Sequence, residues 1–164
     1  SSEDIAPLLE ACKQAPFGRG SETVLDPTYR RALVLPAERF AVSPATQVDP
    51  YVVGILDEIS RHLLSRSDRR IVARLDKMNV YGPGDFFKSH VDTPKSSDMF
   101  GTLLANLPAA HEGGELVVYA TNARAEEADG SGHTTNWGAI DCLSWIAFFS
   151  DCPHEVLPVK SGHR

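Results

Sequence analysis

Tyr81-Gly82-Pro83-Gly84-Asp85-Phe86-Phe87-Lys88-Ser89-His90-Val91-Asp92 is the stretch from which the rest of this 164-residue chain is read. It ends in His-x-Asp. Residues two apart on a strand point to the same face. A strand here therefore aims the His90 imidazole and the Asp92 carboxylate at one point. His154, further along the chain, is the candidate third donor to a metal. A His-x-Asp alone says little, because chance gives about 0.4 such pairs in a chain of this composition.

The surrounding residues carry more information. Gly82-Pro83-Gly84 and the paired Phe86 and Phe87 precede the motif, and Thr93-Pro94 follow it. Further on come Gly113-Gly114-Glu115-Leu116, then Ser150-Asp151-Cys152-Pro153-His154-Glu155-Val156, and finally Ser161-Gly162-His163-Arg164. Two histidines and one carboxylate on one face of a metal suit non-haem Fe(II). In order and spacing, residues 71–164 resemble the 2-oxoglutarate- and Fe(II)-dependent dioxygenases, in the branch similar to prolyl 4-hydroxylases.

The resemblance implies a mainly β fold with supporting helices and a double-stranded β-helix (jelly-roll) core. It implies that His90, Asp92 and His154 are the catalytic trio that holds Fe(II), with 2-oxoglutarate as co-substrate and O2 as oxidant. Arg164 matches the family's basic position after the second histidine, which pairs the far carboxylate of 2-oxoglutarate. A guanidinium suits that task because it binds carboxylates bidentately and stays charged when buried. Tyr81 matches a position lining the co-substrate pocket. The implied reaction oxidises, typically by hydroxylation, an aliphatic C–H of a small molecule or a peptidyl residue, and releases succinate and CO2. One departure stands out. The family continues along a last core strand where this chain stops at Arg164. The single domain at 1–164 is thus expected to be cut before that strand, with Arg164 poorly supported.

Bulk properties set the remaining bounds. The length predicts one domain with room for a sizeable core. Hydrophobic content of 42% and charged content of 23% are ordinary for globular chains. No apolar run is long enough for a membrane span, and the N-terminus has no signal-peptide profile. Cys12, Cys142 and Cys152 lack metal-type spacing and read as reduced thiols of an intracellular, cytoplasmic protein. The net charge of −6 disfavours a general nucleic-acid binder.

Periodicity predicts the elements. Ile5, Leu8, Leu9 and Cys12 form a helical stripe over residues 4–13. Phe17 to Val24 reads as a turn into an edge strand, and Thr28 to Leu35 as a strand whose Arg30 and Arg31 are solvated. Asp49-Pro50 starts a helix carrying Val52, Ile55, Leu56, Ile59 and Leu63, which buttresses the sheet from outside. Alternation predicts a strand from Ile71 towards Tyr81. Thr102 to Leu107 is an apolar strand. Its Asn106 either points inward, where it needs hydrogen-bond partners and can touch a bound acid, or ends the strand beside Pro108.

His111 to Gly114 reads as a turn, Glu115 to Tyr119 as a strand, and 120–135 as a mobile loop holding an exposed His133. Further strands are expected at Trp137–Ile140, Leu143–Phe149 and Glu155–Val159, with a turn at Lys160-Ser161-Gly162. Two rival readings stand beside the oxygenase. One is a non-catalytic metal- or ligand-binding module on the same fold. The other is a zinc-dependent hydrolase, since three ligands plus water also suit catalytic zinc.

Overall fold

The structure is a computed structural model and describes residues 5–20, 22–42, 54–64, 70–119, 133–135 and 142–164. Of 133–135 it describes the backbone. The N-terminal part holds α1 (Ala6–Ala11), β1 (Lys13–Gln14), β2 (Phe17–Arg19), β3 (Glu22–Val24), β4 (Arg30–Arg31), β5 (Leu33–Pro36) and α2 (Ile55–Leu63). The C-terminal part is all strand: β6 (Lys77–Val80), β7 (Phe86–His90), β8 (Gly101–Asn106), β9 (His111–Gly113), β10 (Leu116–Val118), β11 (His133–Thr135), β12 (Ser144–Phe149), β13 (His154–Val156) and β14 (Val159–Gly162).

Two layers enclose one core. The first is a five-stranded sheet in the order β11-β10-β13-β7-β4. The second is assembled from smaller ladders, β1-β5-β6, β14-β9 and β12-β8. Tyr81 and Arg164 exchange backbone hydrogen bonds, 2.7 Å from Tyr81 N to Arg164 O and 2.9 Å from Arg164 N to Tyr81 O. Such an exchange is an antiparallel pair, and it joins the end of β6 to the end of β14. The core draws Val34, Phe87, Leu116, Phe148, Val156 and Val159 from both layers. This is the jelly-roll arrangement.

Alternation along β8 and β12 decides what faces inward. Thr102, Leu104 and Asn106 lie opposite Phe148, Ile146 and Ser144. Leu104, Ile146 and Phe148 belong to the core between the layers. The intervening Leu103 and Ala147 face the other way and pack on Ile55, Leu56 and Ile59 of α2. The helix thus buttresses the sheet from outside, as its periodicity predicts.

Other expectations are revised. Thr28 to Leu35 is two strands in two different layers, β4 and β5, and Arg30 is buried at 5% exposure rather than solvated. Ile71 to Leu75 lies outside any strand, because Ile71 and Ala73 pack against α2 instead of joining a ladder. His111 is a buried strand residue, not a loop histidine, because β9 pairs with β14. The same pairing makes Lys160 to Gly162 strand rather than turn. Residues 133–135, expected as loop, pair with β10. Arg164, expected to lack support, is held by Tyr81. The helix start at Asp49-Pro50-Val52, most of the 120–135 loop, the His133 side chain and the Trp137–Ile140 strand lie outside the described residues.

Gly162 sits at φ 74, and a Cβ there would come within 2.8 Å of His111 Cα and closer still to the Ala110 carbonyl. Neither backbone group can swing aside. Gly162→Ala is expected to destabilise the protein by at least about 1–2 kcal/mol, the cost of left-handed backbone alone. Urea unfolding measures it, and an unchanged midpoint would contradict this packing.

Candidate metal centre

The centre is built by one ladder and one chain extension. β7 and β13 are antiparallel neighbours, and their register sets His90 opposite His154. Opposed residues share a face, so the two rings meet with centroids 4.1 Å apart. Asp92 follows two residues after His90, just beyond the end of β7. The potential donor atoms of His90, Asp92 and His154 all lie within 4.8 Å of one another. Among the described residues this is the one such grouping of His, Cys, Asp and Glu.

Hydrogen bonds settle which atoms face the centre. His90 Nδ1 lies 2.9 Å from the Lys88 carbonyl, and His154 Nδ1 lies 3.0 Å from the Cys152 carbonyl. A carbonyl only accepts, so each Nδ1 carries the proton and each Nε2 keeps its lone pair. The Thr102 hydroxyl donates to Asp92 Oδ2 at 2.5 Å. That leaves Asp92 Oδ1, which lies 3.8 Å from His154 Nε2. Each candidate donor thus has its other polar atom tied down, the arrangement that orients metal-binding side chains. Thr102 contacts the candidate centre, a role that the sequence reading of its strand did not assign it.

Aromatic rings hold the imidazoles. Phe87 stacks on His90 with centroids 3.5 Å apart, and Phe148 lies 4.8 Å from His154. Burial, then the neighbouring His154 charge, bring the His90 pKa down to about 4. The ring therefore stays neutral, as a metal donor must, well into acidic conditions.

Several polar side chains are buried where a core would ordinarily be apolar. Tyr81 is 6% exposed and Asn106 8%. Asn106 Nδ2 is buried without a hydrogen-bond partner, and so is Oγ of Ser144 directly across the ladder. Burial raises the Tyr81 pKa, so the phenol keeps its proton and can donate. Burial lowers the Arg164 pKa, with the Tyr81 and Glu115 charges opposing. At the rim, Gly18 of the β2–β3 hairpin packs so closely on Thr93 that a Cβ would lie 2.8 Å from its hydroxyl.

Comparison with known proteins gives a consistent answer. The family model described as the 2OG-Fe(II) oxygenase superfamily matches residues 77–164, more than half of the chain. A PKHD-type hydroxylase of Rhizorhabdus wittichii is 34% identical over 96 residues, which take in 52% of this chain and 37% of that protein's length. A prolyl-4-hydroxylase structure from Pseudomonas putida superposes with a TM-score of 0.60 at 19% identity, covering 99% of this chain and 78% of that one. A prolyl hydroxylase from Trichoplax adhaerens, solved with a peptide fragment of hypoxia inducible factor, gives 0.57 at 17% identity, covering 99% and 72%. At such identities the structures establish a shared fold.

Removing the Thr102 hydroxyl tests the geometry without touching a donor. Thr102→Val frees Asp92 to rotate and is expected to weaken divalent-metal affinity roughly 10- to 100-fold, the usual cost of losing a supporting hydrogen bond. Titrating Mn(II) into wild type and variant measures it. Equal affinities would show that Asp92 does not depend on Thr102.

Proposed function

This chain belongs to the 2OG-Fe(II) oxygenase superfamily, and from that premise we propose that it is a 2-oxoglutarate-dependent dioxygenase acting on an aliphatic C–H of a small molecule or a peptidyl residue. The observation that carries the proposal is the pairing of a two-histidine, one-carboxylate cluster with buried, polar Tyr81 and Asn106 behind it.

The residues present fit Fe(II). His90 and His154 would each give Nε2, and Asp92 would give Oδ1, the donor set this metal takes in oxygenases. Bound iron, with O2 and 2-oxoglutarate, supplies the oxidation and yields succinate and CO2. The chain's own part is binding and orientation. Arg164 receives the far carboxylate of 2-oxoglutarate, presented by its backbone pair with Tyr81. The Tyr81 hydroxyl and Asn106 Nδ2 are further donors, and the unmet Nδ2 is what a bound acid would satisfy. Phe87 and Phe148 keep water from the donors' outer sides. The prolyl hydroxylase fold, with the peptide seen beside its Trichoplax example, keeps peptidyl substrates in view alongside small molecules.

The test is succinate release from 2-oxoglutarate by the Fe(II)-loaded protein. If this protein neither binds 2-oxoglutarate nor forms succinate, the non-catalytic module is the better reading. Within the oxygenase reading, Arg164→Ala is expected to weaken 2-oxoglutarate binding by about 2–5 kcal/mol, roughly 30- to 4,000-fold, and to leave metal binding nearly intact. Arg164→Lys should fall between, since it keeps charge without the bidentate fork. Equal affinity in wild type and both variants would remove Arg164 from the site.

A further inference from the structure

Phe87 and His90 are three residues apart on β7, yet both side chains lie on the inner side of the sheet. Phe87 belongs to the core, and its ring stacks on His90 with centroids 3.5 Å apart. In a regular strand, residues three apart point to opposite faces. The ladder with β13 shows how the alternation is reset. His90 lies opposite His154 and Phe87 opposite Val156, so three steps along β7 match two along β13. β7 therefore carries one extra residue at Lys88-Ser89, a β-bulge. Without the bulge the His90 imidazole would turn to the outer face, away from His154 and Asp92.

A bulge leaves part of its ladder unpaired. Here support comes from the other neighbour of β7. Tyr29 continues β4 beyond Arg30, alongside the bulge. Its carbonyl accepts from Lys88 N at 3.0 Å, and its hydroxyl donates to the Ser89 carbonyl at 2.7 Å. His90 Nδ1 donates to the Lys88 carbonyl at 2.9 Å. These three bonds fall on three consecutive peptide planes. The imidazole is bonded to the middle plane, and Tyr29 holds the planes before and after it. The phenol is itself anchored. Its ring lies 4.6 Å from that of Phe17 and 6.0 Å, edge on, from that of Phe87.

The carbonyl bond is available to any residue at position 29; the hydroxyl bond is not. We propose that Tyr29 is a positioning residue of the metal centre, whose hydroxyl locks the Lys88-Ser89 bulge and so aims His90 Nε2 at the metal. The proposal rests on the reading of His90, Asp92 and His154 as metal donors. Tyr29 acts through the backbone and His90. Its bond to Ser89 is open to solvent. Water can replace the phenol as a donor there, but water has no ring packed on Phe17 and Phe87. Removing the hydroxyl therefore costs orientation more than hydrogen bonding.

The experiment is titration of Co(II) into the chain, followed by its visible absorption, for wild type, Tyr29→Phe and Tyr119→Phe. Tyr29→Phe keeps the ring and removes only the hydroxyl. Tyr119→Phe is the control. It removes a phenol that donates to Glu155 Oε1 in the same sheet, on the residue next to His154. Tyr29→Phe is expected to weaken Co(II) binding about 10-fold, the low end for partners that orient a metal ligand. It is also expected to alter the absorption band of bound Co(II), because His90 is less well directed. Tyr119→Phe is expected to match wild type in both. Wild-type affinity and spectrum in Tyr29→Phe would overturn the proposal, whatever its urea midpoint, and would leave the donor assignment standing. Equal weakening by both variants would also overturn it, since general loosening of the sheet would then suffice. A wild type that binds no Co(II) would strike the donor assignment itself, and the role of Tyr29 with it.

Discussion

The register between β7 and β13 is the constraint on which the centre depends. It sets His90 against His154, two residues 64 positions apart in the chain. Side chains alternate with a period of two along a strand, so a slip of one residue would send one imidazole to the outer face. The ladder is irregular between His154 and Val156, where the pairing shifts to Phe87. That irregularity comes after the histidine pair, so the pair itself keeps its alignment. Leu116 and Val156, opposed on β10 and β13, lie in the buried core and hold the register from the other side.

Register brings the groups together, and hydrogen bonds choose their atoms. Lys88 and Cys152 offer carbonyls that fix both imidazole tautomers, each from two residues before its histidine. Thr102 fixes the carboxylate from β8, a strand outside the β7–β13 ladder. The centre is therefore held by both layers, and loosening either should be felt there. The Tyr81–Arg164 backbone pair acts in a similar way, since it brings two polar residues from distant segments side by side.

The interior is unusual in its charge. A core that includes Leu116 at 1% exposure and Val159 at 2% also admits Arg30, Asn106 and His154. Buried polar atoms without partners are normally rare. Here Arg30 Nε, Asn106 Nδ2 and Ser144 Oγ are such atoms. Arg31, one residue along and outside the core, carries an ordinary surface ion pair.

Much of this was legible from the sequence by itself. The His-x-Asp, the distant His-Glu-Val and the final arginine, in that order, indicated the family and its mainly β jelly roll. The apolar spacing of Ile55, Leu56, Ile59 and Leu63 marked α2 as an outer buttress. The rest was decided by contacts between segments far apart in the chain. Local alternation at Ile71 to Leu75 promised a strand, but a strand exists only where a neighbour completes its hydrogen bonds. Glycines at 113 and 162 read as turns, yet β9 and β14 pair there, with both glycines at positive φ. The fate of Arg30 was likewise hidden, since an arginine beside another arginine looks like surface. Once β4 pairs with β7, alternation along the strand turns one of the two inward and leaves the other outside. Local sequence specifies residue chemistry and period; which polar group ends up buried, and facing what, is fixed by long-range pairing.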